Sequence, residues 1–428
     1  MPTVRRVSAI EILDSRGRPT LKATCELASG ARASASVPSG ASTGSAEALE
    51  LRDGDPSRYV GLGCRKAVAN VAGPISATLA GVTFDHQADL DRRLRALDGT
   101  PNKSRLGANA VLAASLAFAR AHAAERGVPL YRHFADMIGQ PLRHLPRLTI
   151  NLFSGGKHAG GQVAIQDVLV VPAAAKTIDE GLVHVRRVYD AAMELIARKY
   201  QVRALTADEG GLAPPFPSPA TMIGDAHSAV IEAGFPPPQI LPASDVVLAI
   251  DVASSHFYQD GLYHFGPQPY TPDDMIGRLS GFVGKFGIVS VEDGLAENDW
   301  DKWPGLRSCL SGRALTLGDD LLCTNPQRIR RAIDSGAADA LLLKVNQIGT
   351  LTEAAEALRL ARSAGWRVTI SARSGETEDD WLADLAVGWA GDQIKIGSIT
   401  RSERLAKYNR LLEIEAETRL PVVGWPNA

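Results

Sequence analysis

The chain has 428 residues, of which 45% are hydrophobic and 22% charged, with a formal net charge of −2 and a pI near 6.5. That length accommodates two domains; the balanced charge, with no basic block or interleaved aromatics, argues against a nucleic-acid surface, and no run of about 18 apolar residues is present to span a bilayer. The opening MPTVRRVSAI lacks the apolar stretch of a secretory leader, and Cys25, Cys64, Cys309 and Cys323 show no CxxC spacing, so a cytoplasmic protein with reduced thiols is expected.

Residues 8–13 and 20–27 alternate in the manner of antiparallel strands, with turn formers at 14–19 between them, and residues 31–37 predict a third strand. The segment PSGASTG at 38–44, with Gly40, Ala41 and Ser42 at its centre, is a small flexible loop, followed by Glu47. It reads either as a surface turn or as a lid whose backbone and Ser42 hydroxyl close over a phosphate or a metal. Residues 106–124 are alanine-rich with helical spacing. These elements predict a small α+β domain over residues 1–135, with a linker at 141–146.

Over residues 136–428 strands are predicted to alternate with helices. Six short apolar runs end on Asp251, Glu292, Asp319, Lys344, Ser371 and Lys395, at intervals of 41, 27, 25, 27 and 24 residues. About 25–30 residues make one strand, one helix and two loops. Thr350 with Glu353 predicts a capping box and Gly365 a helix stop; Asn325-Pro326 opens another helix that Gly336 closes. The proline-rich segment 214–238 reads as a loop or as helix ends. This beat favours a single β/α barrel over a doubly wound sheet, for which no GxGxxG follows a first strand. Polar groups at the carboxyl ends of parallel strands form the active face of such a barrel. Here that face carries three carboxylates and two lysines. Hard oxygen donors suit Mg²⁺, and lysines beside such a cation suit proton abstraction next to a carboxylate.

Several motifs occur in one order along the chain: SGASTG with EALELRDGD, SGGKHAGG, ADEGG, DVASS, VEDG, GDDL, LLLKVNQIG, SARSGETEDD and QIKIG. This set resembles the enolases, from ILDSRG at 12–17 to RSERLA at 401–406. The resemblance implies an α/β fold, an enolase-type β/α barrel preceded by a smaller α+β N-terminal domain. It also implies two Mg²⁺ per site. Asp251, Glu292 and Asp319 would hold the first, and Ser42 would join the second. Lys344 would take the C2 proton and Glu209 would protonate the leaving C3 hydroxyl, partnered by Asp167. Lys395 would steady the carboxylate and enolate. Arg373 and Ser374 would hold the phosphoryl group, His158 would sit beside the site, and Gly40, Ala41 and Gln166 would touch substrate. The partners implied are a small phospho- or phosphonoglycerate and a second copy of the chain as a homodimer or higher homo-oligomer.

Four motifs depart from the family. Ala372 stands where the family has a histidine beside Arg373. Asp167 replaces a glutamate, retracting the carboxylate by about 1.5 Å. In SGGKHAGG, Ser154 replaces an asparagine and Lys157 a serine; in SSHF, His256 replaces a glutamate. The direction is a roomier pocket with altered charge, while the metal ligands, Lys344, Lys395, Glu209 and Arg373 are intact. This is similar to the carboxyphosphonoenolpyruvate synthase branch of phosphinothricin-type natural-product pathways, whose substrate resembles 2-phosphoglycerate with a carboxylate carried on phosphorus. Ala372 would leave space for that group and Lys157 would supply a counter-charge. The alternatives are a glycolytic enolase converting 2-phosphoglycerate to phosphoenolpyruvate, and a non-catalytic binding protein on an enolase fold.

Overall fold

The computed structural model of the chain describes residues 1–41, 43–235 and 245–424. Strands β1 (Val4–Leu13), β2 (Pro19–Leu27) and β3 (Arg32–Ser36) form an antiparallel sheet in that order. The β1–β2 turn is held by Asp14, whose carboxylate accepts the N–H groups of Arg16 at 2.8 Å and Arg18 at 2.9 Å. Helices α1 (Arg65–Asn70), α2 (Ser76–Leu79), α3 (Gln87–Asp98), α4 (Ala108–Glu125) and α5 (Leu130–Ile138) follow. The alanines of α4 let it lie close against β2 and β3, covering the alternating buried face Leu21, Ala23, Cys25 and Leu27.

The second unit begins with β4 (Arg147–Ser154) and β5 (Asp167–Val171), then α6 (Ile178–Tyr200), α7 (Pro219–Glu232) and β6 (Val247–Asp251). After a two-strand ribbon, β7 (Tyr258–Gln259) and β8 (Leu262–Tyr263), come α8 (Pro272–Phe286), β9 (Ile288–Glu292), α9 (Trp303–Leu310) and β10 (Leu315–Gly318). Then follow α10 (Pro326–Ser335), β11 (Ala340–Leu343), α11 (Val345–Ile348), α12 (Leu351–Ser363) and β12 (Arg367–Ser371). The chain ends with α13 (Trp381–Gly388), β13 (Gln393–Lys395) and α14 (Ser402–Thr418). Eight strands close a barrel in the order β4-β5-β6-β9-β10-β11-β12-β13, so the fold is α/β, and the open-sheet alternative is excluded.

The regular alternation expected from residue 136 onward fails at its start. β5 follows β4 without a helix and runs antiparallel to both β4 and β6; two helices then separate β5 from β6. The cause is local. A parallel neighbour needs a long crossover, and the glycine-rich connection at 155–166 holds only a short 3₁₀ turn, Gly156–Ala159. The reversal has a consequence for the site. Asp167, at the start of β5, pairs with Ser154 and Asp251 at the ends of their strands, so it joins the same rim.

Helix ends agree with the local chemistry, with one correction. Asn325 caps α10 and Gly336 closes it in the left-handed region. Thr350 caps α12 through the Glu353 N–H, but the reciprocal half of the capping box is absent. The Glu353 carboxylate instead meets the Thr350 hydroxyl at 2.7 Å and Lys103 Nζ at 3.0 Å, because a buried ammonium competes for it. Within the proline-rich segment, Ser218 caps α7 and Pro219 opens it; residues 236–238 lie outside the described residues.

The two units are sewn together beside the barrel rim. Ser39 and Gly375 exchange backbone hydrogen bonds of 2.8 and 2.9 Å. A Cβ at Gly375 would lie 2.2 Å from the Asp14 carboxylate, so only glycine permits this approach. Further round, Phe134 of α5 packs edge-on against Trp389 with centroids 6.4 Å apart.

Candidate active site

Asp251 and Glu292 are the last residues of β6 and β9, and Asp319 follows β10; the three strands are neighbours and all three side chains are buried. Two ammonium groups from later strands reach them. Lys395 Nζ lies 2.8 Å from Asp251 Oδ2 and 2.8 and 2.9 Å from the two Glu292 oxygens. Lys344 Nζ lies 2.5 Å from Asp319 Oδ2. Gln166 donates to Asp251 at 3.1 Å and Gln347 to Asp319 at 2.8 Å.

Burial pushes the Asp251 carboxyl up, but the charge and hydrogen bond of Lys395 outweigh it and hold it at about 2. Glu292 goes the other way: burial and the adjacent Asp251 charge push it well above the carboxylate range despite Lys395. Burial lowers the Lys344 pKa, and Asp319 more than reverses this, keeping the amine protonated. Three carboxylates thus share two ammonium groups. The raised Glu292 shows that a third buried carboxylate can ionise there only with more positive charge than two ammonium groups supply, and these hard oxygen donors fit a divalent cation held by Asp251, Glu292 and Asp319. Such a cation would supply positive charge against a developing dianion and would draw Asp319 away from Lys344.

The tightest trios of potential ligand groups among the described residues lie alongside, with donor atoms within 4.8 Å: His158, Asp167 and Glu209, and Asp293, Asp319 and Asp320. In the second trio the Asp293 carboxylate accepts the N–H groups of Asp319 at 2.9 Å and Asp320 at 2.8 Å, which sets the position of Asp319. The first trio is a proton store. Asp167 accepts from the Ser154 hydroxyl at 2.7 Å and from His158 Nδ1 at 2.9 Å. His158 Nε2 lies 3.7 Å from Glu209 Oε1, whose other oxygen accepts from Asn151 at 2.9 Å. Burial lowers the His158 pKa, yet the charges of Asp167 and Glu209 outweigh it and hold the imidazole at about 9. Burial raises Glu209, and the charges of His158, Arg404, Lys395 and Lys344 together more than offset this, so Glu209 sits below its ordinary range. The proton of this trio therefore rests on His158, with Glu209 as the ionised end beside the cavity.

Just past β12, Arg373 is buried and held by Glu47, with Nη1 and Nη2 at 3.0 and 3.1 Å from the two carboxylate oxygens. Arg404, fully buried on α14, donates to the carbonyls of Arg373 at 2.7 Å, Ser374 at 2.6 Å and Ile396 at 2.9 Å, fixing the backbone that carries the guanidinium.

Most of the expected site residues converge on one partly open cavity of about 20 Å³. His158, Gln166, Glu209, Asp251, Lys344 and Lys395 line one part of it; Ala41, Ala372, Arg373 and Ser374 line another. Asp167 and Glu292 stand just behind, bonded to His158 and Lys395. Gly40 lines a neighbouring cavity of about 250 Å³ that shares Arg373. Ser42 lies outside the described residues. Lys157 sits on the exposed side of its loop and does not line the cavity; its charge, after burial, helps hold the His256 imidazole down at about 4. Sequence reasoning did not assign Gln347, Asp293, Asn151 or Arg404. Gln347 and Asp293 were within reach, since each lies within three residues of an assigned residue in LLLKVNQIG and VEDG. Asn151 comes from an apolar strand that carries no chemical signal of its own, and Arg404 lies in RSERLA, a motif to which no chemical role is attached.

A barrel whose rim gathers acids and lysines, capped by a small α+β unit, defines the class. Residues 4–134 match the family described as "Enolase, N-terminal domain" and residues 143–421 the family described as "Enolase, C-terminal TIM barrel domain". The chain belongs to the enolase family, whose members use Mg²⁺, and its chemistry is of the enolase type. No helix among the described residues is long and apolar enough to cross a membrane.

Proposed function

We propose that this chain is a hydro-lyase acting on a 2-phosphoglycerate-like phosphonate that carries a further carboxylate on phosphorus, the reaction of carboxyphosphonoenolpyruvate synthase. Lys344 takes the C2 proton; the C3 hydroxyl leaves as water with a proton that passes from His158 through the Glu209 carboxylate; a C2–C3 double bond forms. Lys395 steadies the substrate carboxylate and the enolate, and Arg373 with Ser374 holds the phosphorus end. Asp251, Glu292 and Asp319 would hold one Mg²⁺ and Ser42 would join a second. The protein would work in the cytoplasm as a homodimer or higher homo-oligomer.

The observation that carries this reading is Ala372. It is 7% exposed and lines the cavity beside Arg373, where a methyl group replaces the family's polar ring. A lost polar contact at a charged transition state costs roughly 10²–10³ in rate, so 2-phosphoglycerate would be a poor substrate, whereas a bulkier phosphorus end gains room. The test is kcat/KM on both substrates for wild type, Ala372→His and Lys157→Ser. Ala372→His is expected to harm the phosphonate more than 2-phosphoglycerate, and Lys157→Ser, which removes a charge outside the cavity, to raise KM only modestly and mainly for the more anionic compound. Robust wild-type turnover of 2-phosphoglycerate, with no shift of preference in either variant, would favour a glycolytic enolase instead.

A further inference from the structure

Glu47 precedes the barrel by a hundred residues, yet its side chain is a junction inside the site. Its two carboxylate oxygens meet Arg373 Nη1 and Nη2 at 3.0 and 3.1 Å, a two-point clamp on a planar fork. Oε1 also accepts the Gly44 N–H at 3.1 Å and the Gln347 amide at 3.3 Å. Gln347 uses the same amide nitrogen to donate to Asp319 at 2.8 Å, and its carbonyl accepts the Thr324 hydroxyl at 2.7 Å. The Glu47 and Arg373 side chains are only 8% and 3% exposed. Asn346 completes the clamp, accepting from Nη1 at 2.9 Å.

Two consequences of opposite sign follow. A guanidinium held by two parallel bonds keeps one plane, so its orientation toward the cavity is set before any anion arrives. The same carboxylate places a negative charge beside the group that must receive an anion, and in a buried site that repulsion is poorly screened. A residue that only filled space would have neither effect.

We propose that Glu47 is a positioning residue that trades anion affinity for orientation: it holds Arg373 in its working plane, opposes binding of the phosphorus end, and ties that end to the Asp319 rim through Gln347. This rests on the reading of Arg373 as the anion holder, and the test keeps the two apart.

The probe is inorganic phosphate, titrated in the absence of substrate and followed by the shift in melting temperature and by calorimetry. The variants are Glu47→Gln, Glu47→Asp and Arg373→Ala. Glu47→Gln keeps the shape and removes the charge. It should melt lower without ligand, because a buried guanidinium loses its partner. It should bind phosphate roughly tenfold more tightly, and its kcat should fall roughly tenfold while KM drops. Glu47→Asp keeps the charge but retracts it; its phosphate affinity should stay near wild type while kcat falls. Unchanged or weaker phosphate binding in Glu47→Gln, or a full kcat in Glu47→Asp, would overturn the inference. Phosphate binding undiminished in Arg373→Ala would overturn the underlying reading of Arg373, and this inference with it.

Discussion

Ser154 and Asp167 face each other across the antiparallel β4–β5 pair, and the serine hydroxyl donates to the carboxylate at 2.7 Å. Both positions depart from the enolase motifs. Read along the chain they are two separate losses of volume; in the fold they are one cross-strand pair, in which a shortened acid is met by a short partner. The space around them is tight, since a Cβ at Gly211 would lie 2.4 Å from Ser154 Oγ.

The pair should therefore be coupled. Asp167→Glu alone crowds Ser154 and displaces His158; Ser154→Asn alone crowds the rim. The double substitution should recover part of both losses, with a coupling of about 1 kcal/mol or more in a double-mutant cycle on kcat/KM. Additive effects would show the two departures to be independent.

His158 should make stability depend on pH in a defined window. Its pKa in the fold, about 9, lies above its ordinary value of 6.5 because Asp167 and Glu209 outweigh burial. A raised pKa contributes stability that is full below the unfolded value and lost as pH rises through the folded one. The gap in urea stability between wild type and Asp167→Asn should be widest below pH 6.5 and should narrow as pH rises through 9. In Asp167→Asn the imidazole resonances should titrate at a lower pH, since burial persists and one charge is gone. A gap that stays flat from pH 6 to 10 would contradict the assignment.

Divalent metal should bind at the Asp251–Glu292–Asp319 rim. Mg²⁺ should raise the melting temperature of wild type, and Asp319→Ala should lose that shift and the activity together, since one of three carboxylates is removed. Undiminished turnover after thorough chelation would refute metal dependence.

Proton abstraction and loss of the hydroxyl should separate by residue. Lys344→Ala should abolish exchange of the C2 proton with solvent, and Glu209→Gln should slow dehydration more than exchange. Exchange at the wild-type rate in Lys344→Ala would remove that residue from the role of base.

What the sequence determined by itself is the set of strand ends and the chemistry they carry. A buried parallel strand is a short apolar run, and the residue at its carboxyl end is freed from the core. So Asp251, Glu292, Asp319, Lys344, Ser371 and Lys395 could all be read as strand endings; four of them close their strands, and Asp319 and Lys344 stand one residue beyond. Cap residues such as Asn325 act over a few positions and were equally legible. Only the tertiary structure decided that β5 runs backwards, because strand direction depends on which neighbour accepts its hydrogen bonds. It also decided that Ser154 meets Asp167, that Arg404 holds the Arg373 backbone, and that Glu47 clamps the guanidinium. Glu47 and Arg373 lie 326 positions apart. Contacts at that separation leave no periodicity in the chain; they exist only once burial has brought two charges together where water can no longer screen them.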